Sequence, residues 1–315
     1  MSIRVIKPGM QTTIQADPRI GSRHLGVPAS GAADPLSLAL ANKLVGNALL
    51  APALEVTFVG PRLRFECRAQ IALTGASAVA ELNDEPVAFH ETINVSAGDE
   101  LMLFPADVGA RVYIAFAGGL IADEVLGSMS TYLPAGLGGF KGRALLEGDV
   151  LQLGETAPQT VELQTPEKFR PPITARWMLR ACRSVETSLL QDGQRGVLFN
   201  THWKVSRRAD RMGLALEGAT LKVDSDGRLP SAPVFPGAIQ CPADGVPFLL
   251  AVDAQTTGGY PRVAQVARAD RHLIGQLRPN DHLLFLPRQP DEAIDELRAK
   301  HDFWRQWLPG IETVI

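Results

Sequence analysis

Cysteine is scarce and dispersed. The 315-residue chain carries three, Cys67, Cys182 and Cys241, an odd number with no Cys-x-x-Cys pair. That argues against a disulfide framework or a cysteine-rich zinc site and fits a reducing, cytoplasmic setting. Excess charge of one sign is also missing. Lys and Arg number 31 against 34 Asp and Glu, a formal net charge of −3, so neither a nucleic-acid partner nor a membrane-surface partner is expected. Long hydrophobic runs are absent too. Residues 1–9 hold no apolar run of secretory-leader length, and the apolar stretch 36–54 is broken by Asn42, Lys43, Asn47 and Pro52.

Several catalytic signatures are lacking. There is no G-x-S-x-G nucleophile elbow and no G-x-x-x-x-G-K-[ST] phosphate loop, and the glycines at 136, 138, 139 and 142 miss the dinucleotide spacing. The six histidines, His24, His90, His202, His272, His282 and His301, are scattered. His90-Glu91 has no second histidine at zincin spacing, so no metal site is expected.

What is present is a core-forming, turn-rich chain. Hydrophobic residues make up 45%, and the length suits two domains of about 150 residues each. Short β-branched or apolar runs predict strands at 71–74, 92–95, 100–104, 111–117, 220–223, 248–252 and 282–286, with Gly and Pro between them. Two helices are expected. One starts at Asp34-Pro35, an N-cap followed by proline, and ends near Gly46. The other covers 291–308, with Ile294, Leu297, His301, Trp304 and Leu308 on one face and Glu296 paired with Lys300. Residues 156–172, proline-rich and without periodicity, read as a linker between domains 1–155 and 173–315. The halves read as a duplication. Gln15, Arg19, Ser30 and Asp34 recur 176 positions later as Gln191, Arg195, Ser206 and Asp210, and Leu38-Ala39-Leu40 matches Leu214-Ala215-Leu216. Gly98-Asp99-Glu100-Leu101 parallels Asn280-Asp281-His282-Leu283 at a spacing of 182.

Four segments concentrate Gly, turns and polar side chains: 9–34, 117–143, 206–213 and 253–261. Lys141 and Arg143 sit among glycines, where two cations suit a phosphate or carboxylate; a hairpin tip with solvated charges explains them equally. Asp253, Gln255, Thr256 and Tyr260 follow an apolar strand in a loop suited either to ligand recognition or to satisfying its own backbone. His24 and Ser30 precede a helix N-terminus, an anion-binding position, although Asp34 is well explained as a cap alone. Arg211 can meet a substrate carboxylate or make a structural ion pair.

These segments resemble, in order and nearly end to end, the KipA-like or allophanate hydrolase subunit 2 family, which includes the C subunit of 5-oxoprolinase and the carboxyltransferase domain labelled subdomains C and D. The likeness rests on Ala41-Asn42, Gly46-Asn47, Leu54-Glu55, Gly60-Pro61, Asp210-Arg211-Met212-Gly213, Gln240 and Gln255-Thr256-Thr257-Gly258-Gly259-Tyr260-Pro261. It implies a mainly β fold of two cyclophilin-like β-barrel domains with short helices. It also implies an obligatory KipI-like partner, with a third lactam-hydrolase subunit, in an ATP-dependent 5-oxoprolinase that uses ATP with or without magnesium. Two alternatives are implied as well: carboxyl transfer from biotin carried elsewhere, and a regulatory protein antagonising a kinase inhibitor. On this reading Lys141, Arg143 and Arg211 stabilise charge, and His24, Ser30, Gln240, Asp253, Gln255, Thr256 and Tyr260 bind substrate. The family's Gln-Asp-x-Gly-Arg reads here Gln15-Ala16-Asp17-Pro18-Arg19, and a cation usual after the Arg-Met-Gly stretch is Ala215. Both departures bear on the choice of substrate.

Overall fold

A computed structural model describes residues 1–155, 162–224 and 229–315. Its contacts divide the chain into two units. The first comprises 1–20, 30–173 and 304–314; the second comprises 21–29, 174–303 and residue 315. The sequence alone assigns 21–29 to the first domain and 304–314 to the second, and the contacts reverse both. Part of the expected 156–172 linker lies outside the described residues. Its described end holds Glu167–Phe169, a short 3-10 turn within the first unit.

The first unit has two antiparallel sheets. One runs in the order Val150–Gln152, Ser2–Lys7, Arg62–Phe65, Glu100–Leu103, Ala80–Leu82, Glu85–Val87. The other runs Gln11–Gln15, Ala53–Thr57, Val108–Phe116, Ala69–Ser77, Thr92–Val95. Their inward residues form a single core; Ile3, Val5, Leu63 and Phe65 come from the first, and Ile14, Leu54, Ile71, Val112 and Phe116 from the second. In Ala53–Thr57 and most of Val108–Phe116 both faces are buried. The helix Pro35–Leu44 covers the second face, with Thr74 Oγ1 donating to Ser37 O at 2.6 Å. With both faces covered, even the polar positions of these strands, Glu55 and Arg111, are buried and must find partners inside the protein. The expected cap holds: Asp34 accepts from Ser37 N at 3.1 Å and from Ser37 Oγ at 2.6 Å.

The second unit is a closed seven-stranded barrel in the order Arg176–Arg183, Arg262–Val266, Ala238–Gln240, Phe248–Leu250, Gly213–Glu217, Trp203–Ala209, His282–Arg288. Parallel pairing of His282–Arg288 with Arg176–Arg183 closes it. The closure leaves no unpaired edge in this sheet. A mainly β, duplicated barrel-type class is therefore what the chain adopts.

One turn recurs three times. Gly98, Gly148 and Asn280 take left-handed backbone (φ 97°, 85° and 76°), each followed by an aspartate. Asp99, Asp149 and Asp281 each accept from the backbone N–H three residues earlier, on Ser96, Leu146 and Arg278. Each turn then exchanges two backbone bonds with a strand residue: Phe65, Val5 and Val205 respectively. The 182-residue parallel thus marks equivalent structure, and Gly148-Asp149 is a third copy. The 176-residue spacing does not, because Leu38-Ala39-Leu40 is helical while Leu214-Ala215-Leu216 lies in a strand.

The last helix is Pro290–Arg305. Trp304 is buried as expected, but Ile294 is 46% exposed. The expected Glu296–Lys300 pair is replaced. Glu296 meets Arg288 at 2.8 Å and Arg180 at 3.4 Å, while Lys300 donates to Ala269 O at 2.7 Å and lies 3.2 Å from His272 Nε2. The barrel offers better partners than the neighbouring helical turn, and exposed helical pairs are worth only about 0.3–0.5 kcal/mol.

His90 carries a pH dependence. Burial, and then the charge of Arg170, hold its pKa down to about 4 against an ordinary 6.5. Burial lowers His272 in the same direction. The unfolded chain takes up these protons first, so stability is full above pH 6.5 and declines as pH falls toward 4. Asn tolerates the left-handed backbone that His90 adopts (φ 66°). His90→Asn should therefore flatten the fall in urea midpoint between neutral pH and about pH 4.5; identical falls in both proteins would contradict this assignment.

Candidate functional site

In the first unit the polar centre begins with a buried carboxylate. Glu55 Oε2 accepts from Ala33 N at 2.8 Å and from Tyr113 Oη at 2.7 Å, and its Oε1 faces Arg111 Nε at 3.4 Å. Tyr113 Oη in turn accepts from Asp34 N at 2.8 Å. Burial, reinforced by the Glu55 charge, pushes the Tyr113 pKa well above its ordinary value, so the phenol stays protonated. Sheet, loop and helix start are thereby fixed to one another. Arg19 is fully buried, its Nε donating to Val125 O and its Nη2 to Ser130 O, both at 2.8 Å. Ser130 Oγ accepts from Ala16 N, and Gln15 Nε2 donates to Thr13 Oγ1 and Thr131 O. At Gly139 (φ 62°) a Cβ would collide with Thr131 Oγ1, so only glycine lets the loop lie on this segment.

Ser30 and Gln15 stand out in this centre. Ser30 has left-handed backbone (φ 52°) and is 3% exposed, and its hydroxyl has no partner among the described residues. Gln15 Oε1 is likewise buried and unpartnered. A strained backbone beside unsatisfied buried groups costs stability and points to function.

Of the expected cations here, Lys141 is at the left-handed tip of the glycine loop (φ 55°), its N–H donating to Asp123 Oδ2 at 3.0 Å. Its ammonium lies 5.1 Å from the Phe140 ring centre. Arg143 flanks the same ring at 5.4 Å but is held by Asp149 in a bidentate pair, both bonds 2.8 Å. That pair, through its hydrogen bonds, raises the Arg143 pKa and lowers the Asp149 pKa. Arg143 is therefore no open cation for a phosphate, which amends its expected charge-stabilising role.

The second unit holds the other expected residues. Arg211 and Asp253 form a buried bidentate pair, at 2.7 and 3.1 Å. The same amendment applies to Arg211, and Asp253 is its counter-charge. Gln255 Nε2 donates to Gln240 Oε1 at 3.2 Å, while Gln240 Nε2 is buried with no partner among the described residues. Thr256 is 9% exposed and offers its carbonyl to Val234 N and to Arg23. Tyr260 is half exposed, and His24 is exposed in a 3-10 turn with Nδ1 2.9 Å from Gly21 O. So Arg211–Asp253, Gln240–Gln255 and Thr256 are joined by direct bonds or loop continuity. Ser30, Lys141 and Arg143 belong to the other unit.

Sequence reasoning passes over Glu55, Tyr113 and Arg23 as site residues. Only three-dimensional contacts distinguish a buried tyrosine or glutamate in a strand from its surface counterpart. Arg23 lies in a segment that the sequence does single out, beside His24. Among the departures, Asp17 is exposed and contributes its carbonyl, which accepts from the Ser128 and Ser130 hydroxyls at 2.7 and 3.1 Å. Ala215 is 4% exposed within its strand, where an arginine would need a new counter-charge.

Removing one partner of the Arg211–Asp253 pair leaves a buried charge. Asp253→Ala should cost about 3–5 kcal/mol in urea unfolding, and the double change Arg211→Met, Asp253→Leu should recover most of it. A single-variant loss below about 1 kcal/mol would place the pair in the surface class.

Comparison with known proteins matches this architecture. Residues 25–287 match the model of the carboxyltransferase domain, subdomain A and B, where the resemblance had implied subdomains C and D. The chain is 35% identical to the 5-oxoprolinase C subunit of Escherichia coli strain K12 over 96% of its own length and 97% of that protein. It is 33% identical to the protein of the same name from Haemophilus influenzae, covering 96% of each chain. It also superposes on Kluyveromyces lactis urea carboxylase with a TM-score of 0.91 at 30% identity, over 97% of this chain and 29% of that one. With the matched model spanning most of the chain and the similarity running end to end, the protein belongs to the carboxyltransferase domain, subdomain A and B family.

Proposed function

We propose that this chain is the C subunit of an ATP-dependent 5-oxoprolinase, opening the ring amide of 5-oxoproline together with a KipI-like subunit and a third lactam-hydrolase subunit. The observation that carries this reading is the end-to-end similarity to the C subunit of 5-oxoprolinase. The site agrees with a role as one part of a larger enzyme. Among the described residues no Ser, Thr or Cys side chain is hydrogen-bonded to a histidine ring, so no hydroxyl–histidine or thiol–histidine pair is seen among them. Each unit offers polar groups of its own to a small ligand: Gln15 and Ser30 in the first, and Gln240 with the loop of Gln255, Thr256 and Tyr260 in the second.

Two of the three cations expected to serve ATP are already matched by acids. A triphosphate needs several cations or a cradle of backbone amides. Arg143 and Arg211 are neutralised by carboxylates, leaving Lys141 of the three expected cations. On this reading the partner subunits take the nucleotide's phosphates, and this chain's own residues act on the small-molecule substrate.

Carboxyl transfer is the second reading, favoured by the fold shared with urea carboxylase. The biotin would then arrive on a separate carrier.

One assay separates them. ADP release is followed with this chain alone and mixed with its candidate subunits, with and without 5-oxoproline and with magnesium present. Release only from the full mixture and only with 5-oxoproline is expected. A stable complex whose ADP release ignores 5-oxoproline would remove this substrate and favour carboxyl transfer.

A further inference from the structure

Arg23 carries a positive charge that no described residue neutralises. Its Nη2 donates to the carbonyls of Val234 and Thr256, and its guanidinium lies 4.7 Å from the Phe235 ring centre. Among the described residues no carboxylate pairs with it, and no described group takes a bond from its Nε or Nη1. Three other arginines of the same unit, Arg180, Arg211 and Arg262, are each matched to an acid. Burial lowers the Arg23 pKa, because its charge has shed part of its water. Carbonyl dipoles and an aromatic face fix the plane of the guanidinium without cancelling its charge.

The neighbours define what would cancel it. Thr256 belongs to the loop that carries Gln255, whose amide is bonded to Gln240. Gln240 is 2% exposed, and its Nε2 has no partner among the described residues. It packs against Gly258, where a Cβ would come 2.7 Å from that nitrogen, and the same Cβ would lie 3.3 Å from Val234. One cation, an amide donor in reserve and the half-exposed Phe235 ring thus lie around one short stretch of backbone. This inventory suits a single negative charge on a small ring, and it lacks the cations that a polyphosphate needs.

The geometry points to Arg23 as the anchor for the carboxylate of a small cyclic ligand, held through Nε and Nη1. The Gln240 amide, whose Nε2 has no partner among the described residues, is the second donor. For the choice of 5-oxoproline as ligand the assignment rests on the proposed function; the anchor itself rests on the uncompensated charge. Arg23 would then be a specificity residue that distinguishes a ring bearing a carboxylate from the bare lactam. A site built around a charged partner rejects an analogue lacking it far more strongly than a hydrophobic pocket rejects a missing methylene.

The test follows the Arg23 Nε–H resonance in the full chain labelled with ¹⁵N-arginine, assigned by its absence in Arg23→Lys. The ligands are L-5-oxoproline, acetate, 2-pyrrolidinone and ADP. A saturable shift with 5-oxoproline and none with 2-pyrrolidinone is expected. Arg23→Gln should weaken 5-oxoproline binding about 10- to 100-fold, as loss of a charge-assisted contact implies. Arg23→Lys should weaken it less. A shift with acetate but not with 5-oxoproline would uphold the anchor and remove 5-oxoproline as its ligand. A shift with ADP alone, or none with either carboxylate, would overturn the proposal. The wild-type titration decides the matter even if Arg23→Gln fails to fold.

Discussion

A buried carboxylate that must find donors organises the first unit. Glu55 sits on a strand covered on both faces, where water cannot solvate it. An unpaired charge there would cost several kcal/mol, roughly the scale of a domain's net stability. It is therefore met by Ala33 N–H, the Tyr113 hydroxyl and, more distantly, Arg111. Because Tyr113 also accepts from Asp34 N–H, and Asp34 caps the helix, satisfying Glu55 fixes where the chain enters that helix. The loop just before it, with the strained Ser30, is held in place as a consequence.

The second unit solves the same problem differently. Barrel closure satisfies the backbone of its strands, and its buried charges are largely paired, as in Arg211–Asp253 and Arg180–Asp270. Such pairs add little net stability, but breaking them is costly, so they hold loops in one arrangement. Beside these paired groups others have no partner among the described residues, among them Ser30 Oγ and Gln15 Oε1 in the first unit and Gln240 Nε2 in the second, and no described carboxylate pairs with Arg23. Polar atoms buried without partners weaken the fold, and their presence beside rigid networks fits a protein whose remaining partner is a ligand.

The fold class was legible because strand periodicity, glycine and proline turns and a strong helix cap are local signals. The Gly98 and Asn280 parallel was legible for the same reason, since a left-handed residue followed by aspartate encodes one turn. The 176-residue spacing misled because identity at isolated positions carries no information about backbone state, and Leu-Ala-Leu suits helix and strand alike. Segments such as 253–261 were visible through their density of polar residues. The roles of individual side chains within them were not, because Arg143 and Asp149 or Arg211 and Asp253 meet only after folding. Segment 21–29 looked continuous with its sequence neighbours, yet its contacts place it in the second unit.

The central claim is that the unsatisfied polar groups exist for a ligand rather than for the fold. Ser30→Ala tests it most directly, because the Ser30 hydroxyl makes no protein hydrogen bond among the described residues. Thermal stability of the variant chain and 5-oxoproline-dependent turnover of the reconstituted complex are measured together. The account predicts an unchanged or higher Tm, since an unsatisfied buried hydroxyl is removed, with turnover at least about tenfold lower. Full turnover, or a loss of turnover that merely follows a fall in Tm, would contradict it.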